Sequence, residues 1–275
     1  MAQYAFHQVD VFTRTPLKGN PLAVVIGADD LTTQQMATFA NWTNLSETTF
    51  LLKPTDPRAD YRVRIFTPRH ELPFAGHPTL GSCHVWLASG GQPRSDRIVQ
   101  ECGVGLVELA RLDGRLAFAA PPARRRAVEP ETLLKIAASL RIAPGEILQS
   151  QWLCDPPFWV AVMLRDADAV LALTPDFAAM EGLEIGVIGP HTAGETQFEV
   201  RGFAPGEGIP EDPVTGSLNA GLAQWLIEAG LAPRRYVVSQ GTALGRAGRV
   251  HISADADAIW IGGDVVTCIE GTLTL

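Results

Sequence analysis

Two stretches of the chain reach a glycine that opens an apolar run, and the atoms exposed at such a turn can hold negative charge. The first is Gly76-His77-Pro78-Thr79-Leu80-Gly81 and the second Gly216-Ser217-Leu218-Asn219-Ala220-Gly221. The first N–H groups of a helix have no intrahelical partner and lie at the positive end of its dipole. A glycine there lets a ligand approach the backbone closely. A carboxylate or a developing oxyanion is the guest expected at such a place, with neither metal nor lysine required. The plainer alternative is that Gly76 and Gly216 only permit tight turns.

Three further residues have the right chemistry. Glu47, in Asn44-Leu45-Ser46-Glu47-Thr48-Thr49-Phe50, is a candidate acid/base, although Asn44-x-x-Glu47 also fits a helix capping box. His77 at a helix start is either a turn residue or a neutral donor to a ligand, because a helix N-terminus disfavours imidazolium. Asp212, before Pro213, is either a turn former or a substrate contact; Glu211 reads as structural. His70, His77 and His84 recur every seven residues. On one helix His77 and His84 would lie about 10.5 Å apart along the axis, too far to share an ion. HExxH, Walker, GxGxxG and GxSxG patterns are all missing from the sequence. No metal and no organic cofactor is therefore expected.

The elements that must position these residues repeat. Arg64-Ile-Phe66-Thr-Pro68 precedes the first glycine turn, and Arg201-Gly-Phe203-Ala-Pro205 precedes the second. The offset is 137 residues at the arginines and 140 at the glycines, close to half of 275. Alternation predicts strands over 61–66 and 197–203, and apolar runs predict buried helices over 79–88 and 218–229, stopped by Gly90 and Gly230. Amphipathic helices are expected over 32–42 and 131–140, the first with a Thr32/Gln35 capping box. Residues 97–109 read as one strand, with Cys102-Gly-Val-Gly105 inside it, and 121–126 as the linker. The expected architecture is α+β: two similar lobes, each a curved, mostly antiparallel sheet around a central helix, with the active site between them.

Composition narrows the partners. The chain is 46% apolar and 19% charged with a net charge of −8, which argues against nucleic-acid binding. No run is long and apolar enough for a membrane helix, and the start of the sequence lacks signal-peptide character. Cys83, Cys102, Cys154 and Cys268 form no CxxC pair, so reduced thiols and a cytoplasmic location are expected.

The order Asn20-Pro21-Leu22-Ala23-Val24, the Glu47 motif, Phe66-Thr67-Pro68 leading to Ala75-Gly76-His77-Pro78, and Gly208-Ile209-Pro210-Glu211-Asp212-Pro213-Val214-Thr215-Gly216-Ser217 resembles the PhzF-like phenazine-biosynthesis family over nearly the whole chain. The resemblance implies the diaminopimelate-epimerase-like fold, with a first lobe of 1–120 rejoined by 264–275 and a second of 125–263. It also implies a homodimer and a cofactor-free isomerase. Glu47 then corresponds to the acid/base carboxylate, His77 and Asp212 to polar groups facing the substrate, and Gly76, Gly216 and Ser217 to the anion cradle. Leu218-Asn219 departs from the pattern, where a smaller residue and often a histidine is expected.

Epimerases and racemases of this fold invert a centre with two cysteines that immediately precede the glycines. Here those positions hold Ala75 and Thr215, which excludes two-thiol inversion. A single carboxylate can instead move a proton between carbons on one face of a conjugated, carboxylate-bearing and cyclic substrate such as a dihydro-hydroxyanthranilate. The rivals are a non-catalytic small-molecule-binding or protein-interaction member of the same fold, and a hydrolase using Glu47 with Asp212.

Overall fold

The computed structural model describes residues 2–122, 124–154, 158–180 and 182–275, the Cys154 side chain excepted. The first compact unit comprises the residues up to Ala119 together with Gly262–Leu275; the second is Ala120–Ile261. The division falls inside the strand that ends at Gly263, so Gly262 and Gly263 group with the first unit. Gly263 lies so close to Phe12 that a Cβ on it would come within 2.4 Å of that ring.

The first unit runs β1 (Gln3–Val11), β2 (Asn20–Ile26), α1 (Thr33–Thr43), β3 (Glu47–Leu52), β4 (Tyr61–Phe66), β5 (Glu71–Leu72), α2 (Gly76–Ala88), β6 (Ile98–Cys102), β7 (Gly105–Leu112) and β8 (Arg115–Ala119). The second runs β9 (Arg124–Arg126), α3 (Pro130–Leu140), β10 (Gln149–Cys154), β11 (Trp159–Met163), α4 (Ala167–Leu171), β12 (Glu184–Pro190), β13 (Phe198–Ala204), β14 (Ile209–Asp212), α5 (Gly216–Glu228), β15 (Arg235–Gln240), β16 (Gly248–Ala254) and β17 (Ile259–Gly263). β18 (Val265–Thr274) returns to the first unit, antiparallel to β1.

The pairings repeat in order. In the first unit β1–β2 is antiparallel, β2–β3 parallel, β3–β4 and β4–β5 antiparallel, β4–β6 parallel and β6–β7 antiparallel. In the second, β10–β11, β11–β12, β12–β13, β13–β14, β13–β15 and β15–β16 follow the same succession. A helix makes the crossover in each first parallel pair, α1 in one unit and α4 in the other.

α2 and α5 are the central helices. α2 is buried from Gly76 through Cys83, and α5 from Gly216 through Ala223, which is why neither sequence shows an amphipathic stripe. Both start at the glycine, ahead of the predicted 79 and 218. Pro78 is tolerated in the first turn because no N–H is required there. α1 packs on the sheet through Met36 and Phe39, in a cluster with Tyr4, Val25, Phe50 and Phe66. Its Thr32/Gln35 capping box is present as expected.

Two local expectations fail. The 97–109 stretch is a hairpin: Cys102 pairs with Gly105, whose φ of 101° is a turn conformation that alternation could not register. The 121–126 linker contains β9, whose Arg124–Arg126 pairs with Trp152–Cys154; the partner is remote in sequence and invisible locally. Cys83, Cys102 and Cys268 are free thiols, while the Cys154 side chain lies outside the described residues. Among the described residues no helix is long and apolar enough to cross a membrane.

Candidate active site

Glu47 is the first residue of β3. α1 ends just before it, with Asn44 as a left-handed C-cap at φ 53°, so Asn44 closes a helix and the capping-box alternative for Glu47 fails. Parallel pairing sets Glu47 opposite Leu22, next to the Asn20-Pro21 start of β2. The start of α2 meets the same spot. Glu47 Oε2 lies 3.3 Å from His77 Nε2, and Asn20 Nδ2 lies 3.3 Å from His77 Nδ1.

His77 is only 3% exposed. Burial holds its imidazole down to about 3, against an opposing hydrogen bond to the Pro21 backbone. The contact with Glu47 is therefore a close approach of a carboxyl group to a neutral ring, not an ion pair. Gly81, one helical turn beyond His77, allows the close approach: a Cβ there would lie 2.5 Å from Leu22 Cδ2 and 3.1 Å from Val9 and Val11 methyls. That glycine sets how near His77 comes to β2 and β3.

In the second unit Asp212 ends β14, 8% exposed, and its Oδ2 accepts from Thr215 Oγ1 at 2.6 Å. Gly216 begins α5, and Ser217 Oγ accepts from Trp159 Nε1 at 3.2 Å. At the starts of both central helices the N-cap residues, Ala75 and Thr215, make no side-chain cap. The backbone N–H groups of these two turns are thus not engaged by the N-cap side chains. Leu218 and Asn219 have structural explanations. Leu218 fills the space left by Gly186 and Gly202, where a Cβ would meet it at 2.3 and 3.2 Å. Asn219 donates to Thr215 O at 2.8 Å and to Gln240 Oε1 at 2.9 Å.

The sequence reading missed two glutamines. Gln240 is fully buried on β15; its Oε1 accepts from Thr215 N at 3.0 Å, and its Nε2 donates to Thr215 Oγ1 at 2.9 Å and Asp212 O at 3.2 Å. Gln100, equally buried on β6, donates to Thr79 Oγ1 at 3.0 Å and accepts from Tyr61 OH at 3.0 Å. Gln100 and Gln240 are 140 residues apart, the offset of the glycines, and that was the available signal. The repeated arginines also find a role. Arg64 clamps Glu71 at 2.6–2.7 Å beside Phe66, and Arg201 clamps Glu211 at 2.8–2.9 Å beside Phe203. Each pair fastens the short strand, β5 or β14, that leads to a glycine turn.

The family model for phenazine biosynthesis-like proteins (PhzC-PhzF) matches residues 9–271. The chain belongs to this family. Its fold is of the diaminopimelate-epimerase-like class, and the protein is an isomerase. It is 36% identical to antisense-enhancing sequence 1 of Schizosaccharomyces pombe, over 98% of this chain and 99% of that one. It is 34% identical to trans-2,3-dihydro-3-hydroxyanthranilate isomerase of Pseudomonas fluorescens, over 97% and 98%. The crystal structure of the Bacillus anthracis PhzF-family protein superposes over 100% of both chains with a TM-score of 0.86 at 22% identity. Among the described residues of this family member, no three His, Cys, Asp or Glu side chains are grouped to hold a metal ion.

Proposed function

We propose that the protein isomerises a small, cyclic, carboxylate-bearing substrate of the dihydro-hydroxyanthranilate type, with Glu47 as the general acid/base. The observation that carries this reading is the buried contact between Glu47 and the neutral His77 ring. A neutral imidazole has one donor and one acceptor nitrogen. With the proton on Nε2 it supports Glu47 as a carboxylate while Nδ1 accepts from Asn20 Nδ2; with the proton on Nδ1 it supports Glu47 as an acid, and the Asn20 amide then turns its oxygen to Nδ1. Both states of a proton carrier are accommodated without creating a charge on the ring.

In the proposed reaction Glu47 takes a proton from a substrate carbon, and the electron pair spreads through the conjugated system toward the substrate carboxylate. Glu47 returns a proton at another carbon, after its carboxyl proton has had time to exchange with solvent, so the substrate changes only in its bond positions. The N–H groups at Gly76–His77 and at Gly216–Ser217 serve as the anion donors, each contributing about 0.3–1 kcal/mol or more where water is excluded. Asp212 serves as a substrate-binding group. Ala75 and Thr215 offer no thiol base, which favours one-base transfer over inversion.

The test is turnover of trans-2,3-dihydro-3-hydroxyanthranilate in D2O, followed by NMR. The wild type is expected to form product with deuterium exchange, and Glu47→Gln to lose about 10²- to 10⁴-fold while still folding and binding. Equal rates in the two proteins would remove Glu47 from the mechanism.

A further inference from the structure

The far ends of the two central helices are finished differently. In the second unit β9 lies against β10 with Arg125 opposite Leu153, and Leu153 is opposite Trp159. In the first, β18 lies against β1 with Thr267 opposite Val9, and Val9 is opposite Leu22. Leu22 and Trp159 stand at one point of the repeat, since each pairs with the first residue of the next parallel strand. Thr267 and Arg125 are therefore equivalent, and they meet the helices at positions 140 residues apart. Thr267 Oγ1 lies 3.0 Å from His84 Nε2, and Arg125 Nη1 donates to Gln224 O at 3.4 Å. One helical turn further on, Arg125 forms an ion pair with Glu228 of α5. The residue 140 positions before Glu228 is Ala88, which carries no charge.

In place of that ion pair the first unit has a cavity of about 370 Å³, a size usual for small-molecule sites. α2 contributes His84 and Leu87, the β7–β8 hairpin Arg111, Arg115 and Leu116, and the start of the return to β18 Asp264. All of these lie within the first compact unit. Asp264 is the one acidic side chain that lines the cavity among the described residues. It is shared by two cations: Arg14 Nε and Arg115 Nε each lie 3.0 Å from its Oδ2. Arg111 has no ion-pair partner among the described residues. Three guanidiniums thus stand against one carboxylate, an excess of two positive charges on a chain whose net charge is −8. His84 adds none, because burial and then the nearby His7 hold its ring below the ordinary histidine range.

We propose that this cavity is a binding site for a phosphate group, with Arg111 and Arg115 on its oxygens and Leu87 and Leu116 beside whatever the phosphate carries. A phosphate dianion matches the excess charge, whereas a monocarboxylate would neutralise half of it. The planar fork of a guanidinium also fits phosphate oxygens in pairs. The contact with Asp264 occupies one of the five donors of Arg115, which leaves its fork able to take a ligand. The site is separate from the glycine turn of the same helix. At 1.5 Å per residue, Leu87 stands about 15 Å along α2 from His77. It is also independent of the substrate proposed above.

The test is calorimetric titration of the full chain, in a phosphate-free buffer, with inorganic phosphate and with phenyl phosphate. The wild type is expected to bind phosphate at this site with one equivalent per chain. Binding of phenyl phosphate about tenfold tighter than inorganic phosphate assigns an organic phosphate ester; equal binding assigns free phosphate. Arg111→Gln is expected to weaken either by about tenfold or more. Ala88→Glu, at an exposed position, supplies the carboxylate that α5 has and is expected to weaken binding similarly while keeping the wild-type Tm within a few degrees. In both variants kcat/KM for trans-2,3-dihydro-3-hydroxyanthranilate is expected to stay within about twofold of the wild type. Absence of binding in the wild type, or equal affinity in the wild type and both variants, overturns the site. Phosphate binding that Arg111→Gln leaves unchanged and the substrate displaces puts the anion at the glycine turns, and overturns it too.

Discussion

The two glycine turns are built on one plan and equipped differently. Each has a central helix starting at glycine, a second glycine five residues on against the sheet, a buried glutamine on the strand that follows, and an arginine–glutamate clamp beside a phenylalanine. Upon this shared frame the first turn carries Glu47 with a neutral His77, and the second carries Ser217 with Asp212 tied to Thr215. The glutamines show the divergence most clearly. Gln100 supports the helix indirectly, through Thr79, whereas Gln240 grips the turn itself by Thr215 and the Asp212 carbonyl. Repetition has kept the backbone and its fasteners, while the reactive side chains have become unlike. In the function proposed above, the first turn serves proton transfer and the second holds the ligand still.

The largest test of this contrast is kinetic. Asp212→Asn is expected to raise KM for the anthranilate-type substrate by about 10- to 100-fold with a smaller effect on kcat, the reverse of the pattern expected for Glu47→Gln. Steady-state parameters of both variants check it; the same pattern in both would erase the distinction.

Next in size is the pair of glutamines. Gln240→Ala leaves Thr215 N and Asn219 Nδ2 without their shared acceptor, and is expected to destabilise by about 2–4 kcal/mol in urea. Gln100→Ala is expected to cost about 1–3 kcal/mol, since Thr79 Oγ1 retains Ala75 O at 2.9 Å. A larger loss at Gln100 would invert the assignment of the tighter fastening to the second unit.

The helix glycines come third. Gly81→Ala is expected to cost about 1–3 kcal/mol by overpacking Leu22, and to slow turnover because His77 sits one turn away on the same helix. Gly221→Ala, with Leu153 at 2.9–3.0 Å, is expected to cost about as much stability and less rate.

The smallest expected effect is on the acid limb. His77 stays neutral in the fold down to about pH 3, while an unfolded histidine protonates near 6.5. The depressed pKa gives stability that is present above about 6.5 and lost as pH falls toward about 3. In His77→Gln the thermal midpoint is expected to fall less steeply over that range; an unchanged slope would mean that His77 is solvated.

The frame was more legible than its fasteners. Gly76/Gly216 and Arg64/Arg201 stood out because glycine and arginine are conspicuous amid apolar strands, and their offsets agreed to within three residues. Gln100 and Gln240 were hidden, since an isolated glutamine in a strand resembles a solvent-facing residue until its burial is known. The Cys102–Gly105 turn was lost because alternation continues on both sides of it. Two partners far apart in the chain, Arg124–Arg126 and Trp152–Cys154, converted a presumed linker into a strand.

β18 pairs with β1 from Gln3 opposite Thr274 to Val11 opposite Val265, and Ala2 and Leu275 exchange backbone bonds of 2.7 and 3.1 Å. The second unit, by contrast, is continuous from Ala120 to Ile261. During synthesis, then, the unit made later has all its parts first. The edge of β1 that β18 covers stays open while residues 120–274 are added, an interval on the order of ten to thirty seconds at ribosomal speeds. Through that interval the nascent chain presents an unpaired strand edge to its neighbours on the polysome, and chaperone demand should concentrate there.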